Sequence, residues 1–215
     1  RNAVDGVHLD DGSIWPADCL LVSGGWTPTV HLFSQTKGRL AWRDDLAAFV
    51  PGPGIDGIGV AGALAGHVSL SDVLASASEA LGDFGSASAA SRSTGQEASL
   101  GTVALWPKPK SKGRVWIDYQ SDVTAKDVEL AARENFVSVE HLKRYTTLGM
   151  ATDQGKTSNL NGLALLAEVT NRKIAEVGTT TYRPPFTPVP FATLAGTRRG
   201  SLFAPVRRLP LENVH

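Results

Sequence analysis

Apolar positions change their spacing along this chain, and each change predicts a different element. In Val7-His-Leu-Asp-Asp-Gly-Ser-Ile14 they alternate on either side of Asp11-Gly12, which predicts a β-hairpin with a tight turn. Asp18-Cys-Leu-Leu-Val22 is a continuous apolar run, the pattern of a strand buried on both faces. It stops at Ser23-Gly24-Gly25, where missing side chains let the backbone pass close to another backbone or to a ligand. Thr29 to Gln35 predicts a short helical turn after Pro28, and Gly57-Ile-Gly-Val-Ala61 a further strand ahead of Gly62, Ala63 and Gly66. From Leu70 the spacing turns helical, through Val73, Leu74, Ala77, Leu81 and Phe84.

Between Gly85 and Lys112 the residues shift to Ser, Ala, Gly and Thr and end in Pro107-Lys-Pro-Lys-Ser-Lys112, which reads as a linker. Helical patterning then returns. Thr124-Ala-Lys-Asp127 is a capping-box start for a helix running toward Glu134. Ser138 opens a second helix through Leu148, with Gly149 as its left-handed cap. Asn159 to Val169 forms a third, with Leu160, Leu163, Ala164, Leu166 and Ala167 inward. Beyond it, the prolines of Thr181-Tyr-Arg-Pro-Pro-Phe-Thr-Pro-Val-Pro190 forbid a helix and predict an extended segment.

The predicted fold class is therefore α/β followed by α. Residues 1–84 form an α/β unit, 85–113 a linker, 114–178 a small three-helix module, and 179–215 an extended connection. A start at Arg1, already inside a strand-rich pattern, predicts an internal piece of a longer polypeptide.

Acidic and basic side chains balance at 21 each, which gives no track for nucleic acid or anionic membrane. No apolar run approaches the ~18 residues of a membrane span. Cys19 is the only cysteine, so no internal disulfide forms, and the expected setting is cytoplasmic. The five histidines are scattered without metal-ligand spacing, and no Ser-His-Asp or Cys-His arrangement occurs. No metal site and no catalytic residue is expected.

Two stretches carry candidate binding chemistry. The strand–helix junction over 62–70, with Gly62, Ala63 and Gly66, reads either as a nucleotide's resting place or as small residues required for packing, and Gly24 and Gly25 likewise admit a ligand or another backbone. Lys143, Arg144, Thr147, Thr152, Gln154, Gly155 and Lys156 gather cations, hydroxyls and an amide around one helix–loop. That inventory suits a phosphate or a flavin edge, and equally a solvated helix face whose cations complement the helix dipole.

The module at 114–178 resembles ferredoxin-like domains related to bacterioferritin-associated ferredoxin (BFD). Aligned on Val123-Thr124 and Gln154-Gly155, the four thiolate positions fall on Asp118, Gln120, Asp153 and Ser158, so the scaffold is expected without its iron–sulfur cluster. Four further stretches resemble the alpha subunits of heterotetrameric sarcosine oxidases: Ser23-Gly-Gly-Trp-Thr-Pro-Thr-Val-His-Leu-Phe-Ser-Gln35, Val60-Ala-Gly-Ala-Leu-Ala-Gly66, Lys143-Arg-Tyr-Thr-Thr-Leu-Gly-Met-Ala-Thr-Asp-Gln-Gly-Lys156 and Gly178-Thr-Thr-Thr-Tyr-Arg-Pro-Pro-Phe-Thr-Pro188.

That resemblance implies that 1–84 is the C-terminal part of a two-dinucleotide-binding, Rossmann-like domain, with NAD near Ala63, Val68 and Leu70. It implies FMN at the boundary with a beta subunit, near the loop at 152–156, and FAD on that beta subunit. Gamma and delta subunits would complete the assembly. The substrate would be a small secondary amine, sarcosine, and tetrahydrofolate would act in a later domain, to which Leu202-Phe-Ala-Pro-Val-Arg-Arg-Leu-Pro210 looks like the start. Two alternatives stand beside it: a subunit of a dye-linked amino-acid or opine dehydrogenase, whose members usually keep the cluster cysteines, and a non-catalytic assembly module.

Overall fold

The computed structural model describes residues 4–83 except Asp10 and Val22, then Ala104 and Trp106, then 113–198 except Phe186, and Gly200, Pro210 and Glu212. The expected hairpin is present. Strand β1 (Gly6–His8) pairs antiparallel with β2 (Ile14–Pro16), His8 opposite Ile14. Gly12, at φ +85°, makes the left-handed turn, and the Asp11 carboxylate accepts from the Ser13 amide at 2.8 Å. The helical turn after Pro28 is α1 (His31–Gln35).

Two strand expectations fail. Residues 18–21 form no strand, Cys19 is exposed, and Leu21 is 91% accessible. A doubly buried strand needs a layer on each face, and no described element covers this one. At 57–61 the chain turns instead: Gly57 takes φ +78° and Ile58 donates to the Ile55 carbonyl at 3.0 Å, leaving an isolated bridge. The hairpin that does form lies between these segments. In it β3 (Leu40–Arg43) pairs with β4 (Ala48–Pro51), and Trp42 packs edge-on against Phe49 at 5.1 Å. A 3-10 turn (Gly62–Ala65) then leads into α2 (Leu70–Asp83), whose Leu70, Leu74 and Leu81 remain exposed.

The second half opens with a hairpin that the helical patterning hides, β5 (Trp116–Asp118) against β6 (Val123–Thr124). Helix α3 (Ala125–Arg133) starts at the expected capping box: Asp127 Oδ2 accepts from the Thr124 amide at 2.8 Å and from its hydroxyl at 2.6 Å. Helix α4 (Val139–Thr146) ends two residues earlier than the spacing predicts. The Thr146 hydroxyl folds back on the Leu142 carbonyl and accepts from the Leu148 amide, and Thr147 takes the left-handed cap at φ +65°. Helix α5 (Asn159–Val169) has the predicted bounds but is buried on every side from Gly162 to Ala167, not on one stripe. Gly162 lets Leu148 lie directly against that helix. A short α6 (Ile174–Val177) follows, then the expected extended run, then an unforeseen α7 (Phe191–Ala195) with Phe191 and Leu194 exposed.

Leu142, Leu163, Leu165, Leu166 and Val128 are fully buried, each supplying about 1.5–3 kcal/mol of apolar burial. Phe49 belongs to the same cluster, and Leu40 and Trp42 pack against it. The β3–β4 hairpin is thus seated on the helices. Of the expected linker only Ala104, Trp106 and Gly113 are described, with the Trp106 ring 6.3 Å from Trp42. The segment 202–210 lies outside the described residues apart from Pro210.

Candidate functional site

Two loops meet at one end of the helical module, the β5–β6 turn and the α4–α5 loop. Of the four positions matched to thiolates, Asp118 and Ser158 are buried, at 3% and 2% exposure, and the Asp118 carboxylate joins the loops. Oδ1 accepts from the amides of Gln120 (2.9 Å) and Ser121 (3.2 Å), and Oδ2 from the Gly149 amide (2.8 Å) and the Ser158 hydroxyl (3.2 Å). Gln120 meets Thr152 across the same gap, Oε1 accepting at 3.4 Å. Asp153 turns back on its own loop, accepting from the Gly155 amide and the Thr157 hydroxyl. Tyr119 and Met150, one residue from these contacts in each loop, are exposed. Among the described residues no three His, Cys, Asp or Glu side chains gather as a metal site.

The expected helix–loop residues divide by what they bond. Arg144 is exposed and stays on its own helix, with Nη1 donating to the Glu140 carbonyl at 3.1 Å and Nη2 3.3 Å from its carboxylate. Lys143 is half-buried, while Thr147 and Thr152 are exposed. The Gln154 amide is spent on the extended segment: Nε2 donates to the carbonyls of Arg183 (2.7 Å) and Pro185 (3.0 Å), and Oε1 accepts from the Arg183 amide (2.8 Å). Gly155 is buried at φ +72°, and a methyl there or on Gly149 would overlap Oδ1 of Asn159. Lys156 Nζ donates to the Asp153 carbonyl at 3.3 Å.

His31 has no metal-ligand spacing in the sequence, and nothing there signals its seat. The ring is 6% exposed, 3.9 Å from the Tyr182 ring, on a cavity of about 30 Å³ shared with Lys156, Asn159, Leu163 and Thr179. Burial pushes its pKa down to about 4, with the Lys156 charge adding to the effect.

The glycine-rich junction is built differently. Gly62 is buried and its amide donates to the Ser76 hydroxyl at 2.9 Å. Gly66, at φ +89°, leaves no room for a side chain against Leu46, Arg43 and Val50. Both therefore serve the packing of the 3-10 turn on α2 and on the β3–β4 hairpin. Ala63, Val68 and Leu70 are exposed, as are Gly24 and Gly25, where an added methyl would meet open space. Gly57, Gly59 and Gly62 also have G-x-G-x-x-G spacing, but β4 ends at Pro51 and α2 begins eight residues after Gly62, so they lack the strand–turn–helix setting of a phosphate loop. The structure keeps this junction and the helix–loop residues as two separate groups.

Residues 112–198 match the family model of the sarcosine oxidase A3 domain. Over 91% of its length the chain is 40% identical to the sarcosine oxidase subunit alpha of Rhizobium meliloti (strain 1021). It is 38% and 36% identical, over 97% of its length, to those of Corynebacterium sp. strains P-1 and U-96. These matches support a fragment of a sarcosine oxidase alpha subunit. It spans 21–23% of the length of these curated relatives. The A3 match takes in both loops, the Asp118 carboxylate and the Gln154 contacts, and stops short of α1, the 3-10 turn and α2. The fold, of mixed α/β content, is shared with L-proline dehydrogenase from P. horikoshii, with a TM-score of 0.68 and 22% identity over 91% of this chain and 43% of that one. Among the described residues no helix is long and apolar enough to cross a membrane.

Proposed function

We propose that this chain is the part of a heterotetrameric sarcosine oxidase alpha subunit that scaffolds nucleotide and flavin cofactors and docks partner subunits. The whole enzyme, a cytoplasmic oxidoreductase, would demethylate sarcosine to glycine, pass the one-carbon unit to tetrahydrofolate in a later domain, and release H2O2. The observation that carries this reading is 40% identity across 91% of the chain to a named alpha subunit.

FMN at the boundary with the beta subunit would relay electrons from that subunit's FAD to oxygen. Thr152 and Lys156, with Lys143 and Arg144 on α4, fit an anionic or flavin-edge contact: they are hydroxyls and cations at or near the surface of one end of the module. Gln154 and Gly155 lie one layer behind, shaping the loop. At the junction, exposed Ala63, Val68 and Leu70 fit a nucleotide such as NAD lying against an apolar surface. The Gly62 amide is committed to Ser76, so phosphate binding by that group is not part of the reading. Gly24 and Gly25 are exposed as well, with open space above their backbone.

Co-expression of the full alpha subunit with beta, gamma and delta partners tests the reading. The expected product is a yellow complex with a flavin spectrum that consumes sarcosine and releases H2O2, and yields NAD on denaturation. A colourless complex that assembles normally would favour the assembly-module alternative. The fold shared with L-proline dehydrogenase favours a second reading, an amino-acid or opine dehydrogenase subunit. Bound iron would be its mark, and a sole cysteine at Cys19, away from positions 118, 120, 153 and 158, opposes it.

A further inference from the structure

The Asp118 carboxylate is surrounded in the way a protein surrounds a bound anion. Three backbone amides and one hydroxyl converge on it from two segments about 30 residues apart, and the side chain is 3% exposed. Each oxygen takes two donors, one pair from the β5–β6 turn and one from the α4–α5 loop. An acceptor-only group with two oxygens matches four such donors, which would lose their acceptor without it.

Unusual backbone flanks the donors. Gly149 itself, and Thr147, Gln154 and Gly155 around it, have positive φ in the α4–α5 loop, and Asp122 does so in the facing turn. Backbone that alternates between right- and left-handed conformations turns successive N–H groups toward one concavity, a geometry that attracts anions. Gln120 and Thr152 add a side-chain contact between the same two loops.

We propose that Asp118 is a built-in anionic ligand: its carboxylate fills an oxyanion hole formed by both loops and thereby fixes the surface that carries Tyr119, Gln120, Met150 and Thr152. Asp118 is a positioning residue in this account. The hole would accept a small free monocarboxylate when the side chain is removed, because the donors belong to the backbone. This holds whether or not a flavin contacts the loop, so its failure and that of the proposed function are separable.

The test is anion rescue of Asp118→Ala in the intact polypeptide, read by amide hydrogen exchange in peptides covering 119–122 and 147–158. The variant is expected to exchange about tenfold faster in both peptides. About 100 mM formate should slow both several-fold, while chloride at equal ionic strength should not and wild type should be unchanged by either. Equal response to formate and chloride would overturn the proposal, since general loosening of the fold has no reason to respond to a carboxylate. If Asp118→Ala does not accumulate, Asp118→Asn decides. Its amide nitrogen would face two donors, so one of the two peptides should lose protection. Wild-type protection in both would show that no anion is required and would overturn the proposal.

Discussion

Gln154 holds Arg183 by both faces of its peptide group, accepting from its amide at 2.8 Å and donating to its carbonyl at 2.7 Å. A side-chain amide here makes the pair of bonds that a neighbouring β-strand would make. The segment after Thr181 cannot form a helix and finds no strand partner among the described residues; this contact, the Glu140 carboxylate, which accepts from the Thr181 amide, and the Tyr182 ring against His31 help seat it.

Gln154→Ala should therefore release that segment. Losing three hydrogen bonds to backbone predicts destabilisation of about 1–3 kcal/mol, confined to 181–190. Limited proteolysis followed by mass spectrometry would show new cleavage there. Gln154→Glu should behave similarly, since a carboxylate keeps the Arg183 amide contact but offers no donor to the two carbonyls. Cleavage elsewhere in either variant, with 181–190 still protected, would count against this role.

His31 gives a pH prediction with a definite sign. Its folded pKa, near 4, lies below the ordinary 6.5 because burial disfavours the charged ring and Lys156 repels it. The unfolded chain therefore binds the proton more readily. Stability from this group is complete above about pH 6.5 and is lost as pH falls toward 4, by at most about 3 kcal/mol. Thermal melts from pH 7.5 to 4.5 should fall more steeply for wild type than for His31→Phe, which cannot titrate. Parallel slopes would sink this assignment.

Gly149 and Gly155 are predicted to refuse alanine. Each is left-handed and each would press a methyl into Asn159 Oδ1, a buried atom whose partner amide is already held by the Gln154 carbonyl and the Thr180 hydroxyl. Gly155→Ala should cost roughly 2–4 kcal/mol, part backbone strain and part overlap. Combining it with Asn159→Ala should remove the overlap and leave about 1–2 kcal/mol. A double-mutant cycle by chemical denaturation measures that difference, and strict additivity would show that the two residues do not press on each other.

Thr124→Ala tests the capping box. Loss of its hydroxyl contact to Asp127 should lower stability by about 1 kcal/mol.

Most of the helical module was legible because its signals are local. Thr124 and Asp127 announce α3, and the leucines and alanines of 159–169 give α5 its bounds. The β3–β4 hairpin was hidden because its turn contains Ala47 at φ +47°, where glycine or asparagine would have been the sign. The Trp42 ring nitrogen, donating to Asp44 at 2.7 Å, helps hold that turn by a side-chain contact that no spacing rule encodes. The error at 18–21 has another origin. An apolar run states that something should cover it, not what, and here Leu21 faces solvent. At the candidate site, residue type pointed to Gln154 as a ligand group, while its bonds to 183 and 185 depend on a loop conformation visible only in three dimensions.

The seat of Phe49 among the leucines of α4 and α5 has a consequence for how the polypeptide comes apart. Because the hairpin and the helices share one oily interior, severing the backbone anywhere from 85 to 103 should yield a nicked protein whose halves stay associated. Separately made halves should find each other and regain a common melting transition, as complementing fragments do.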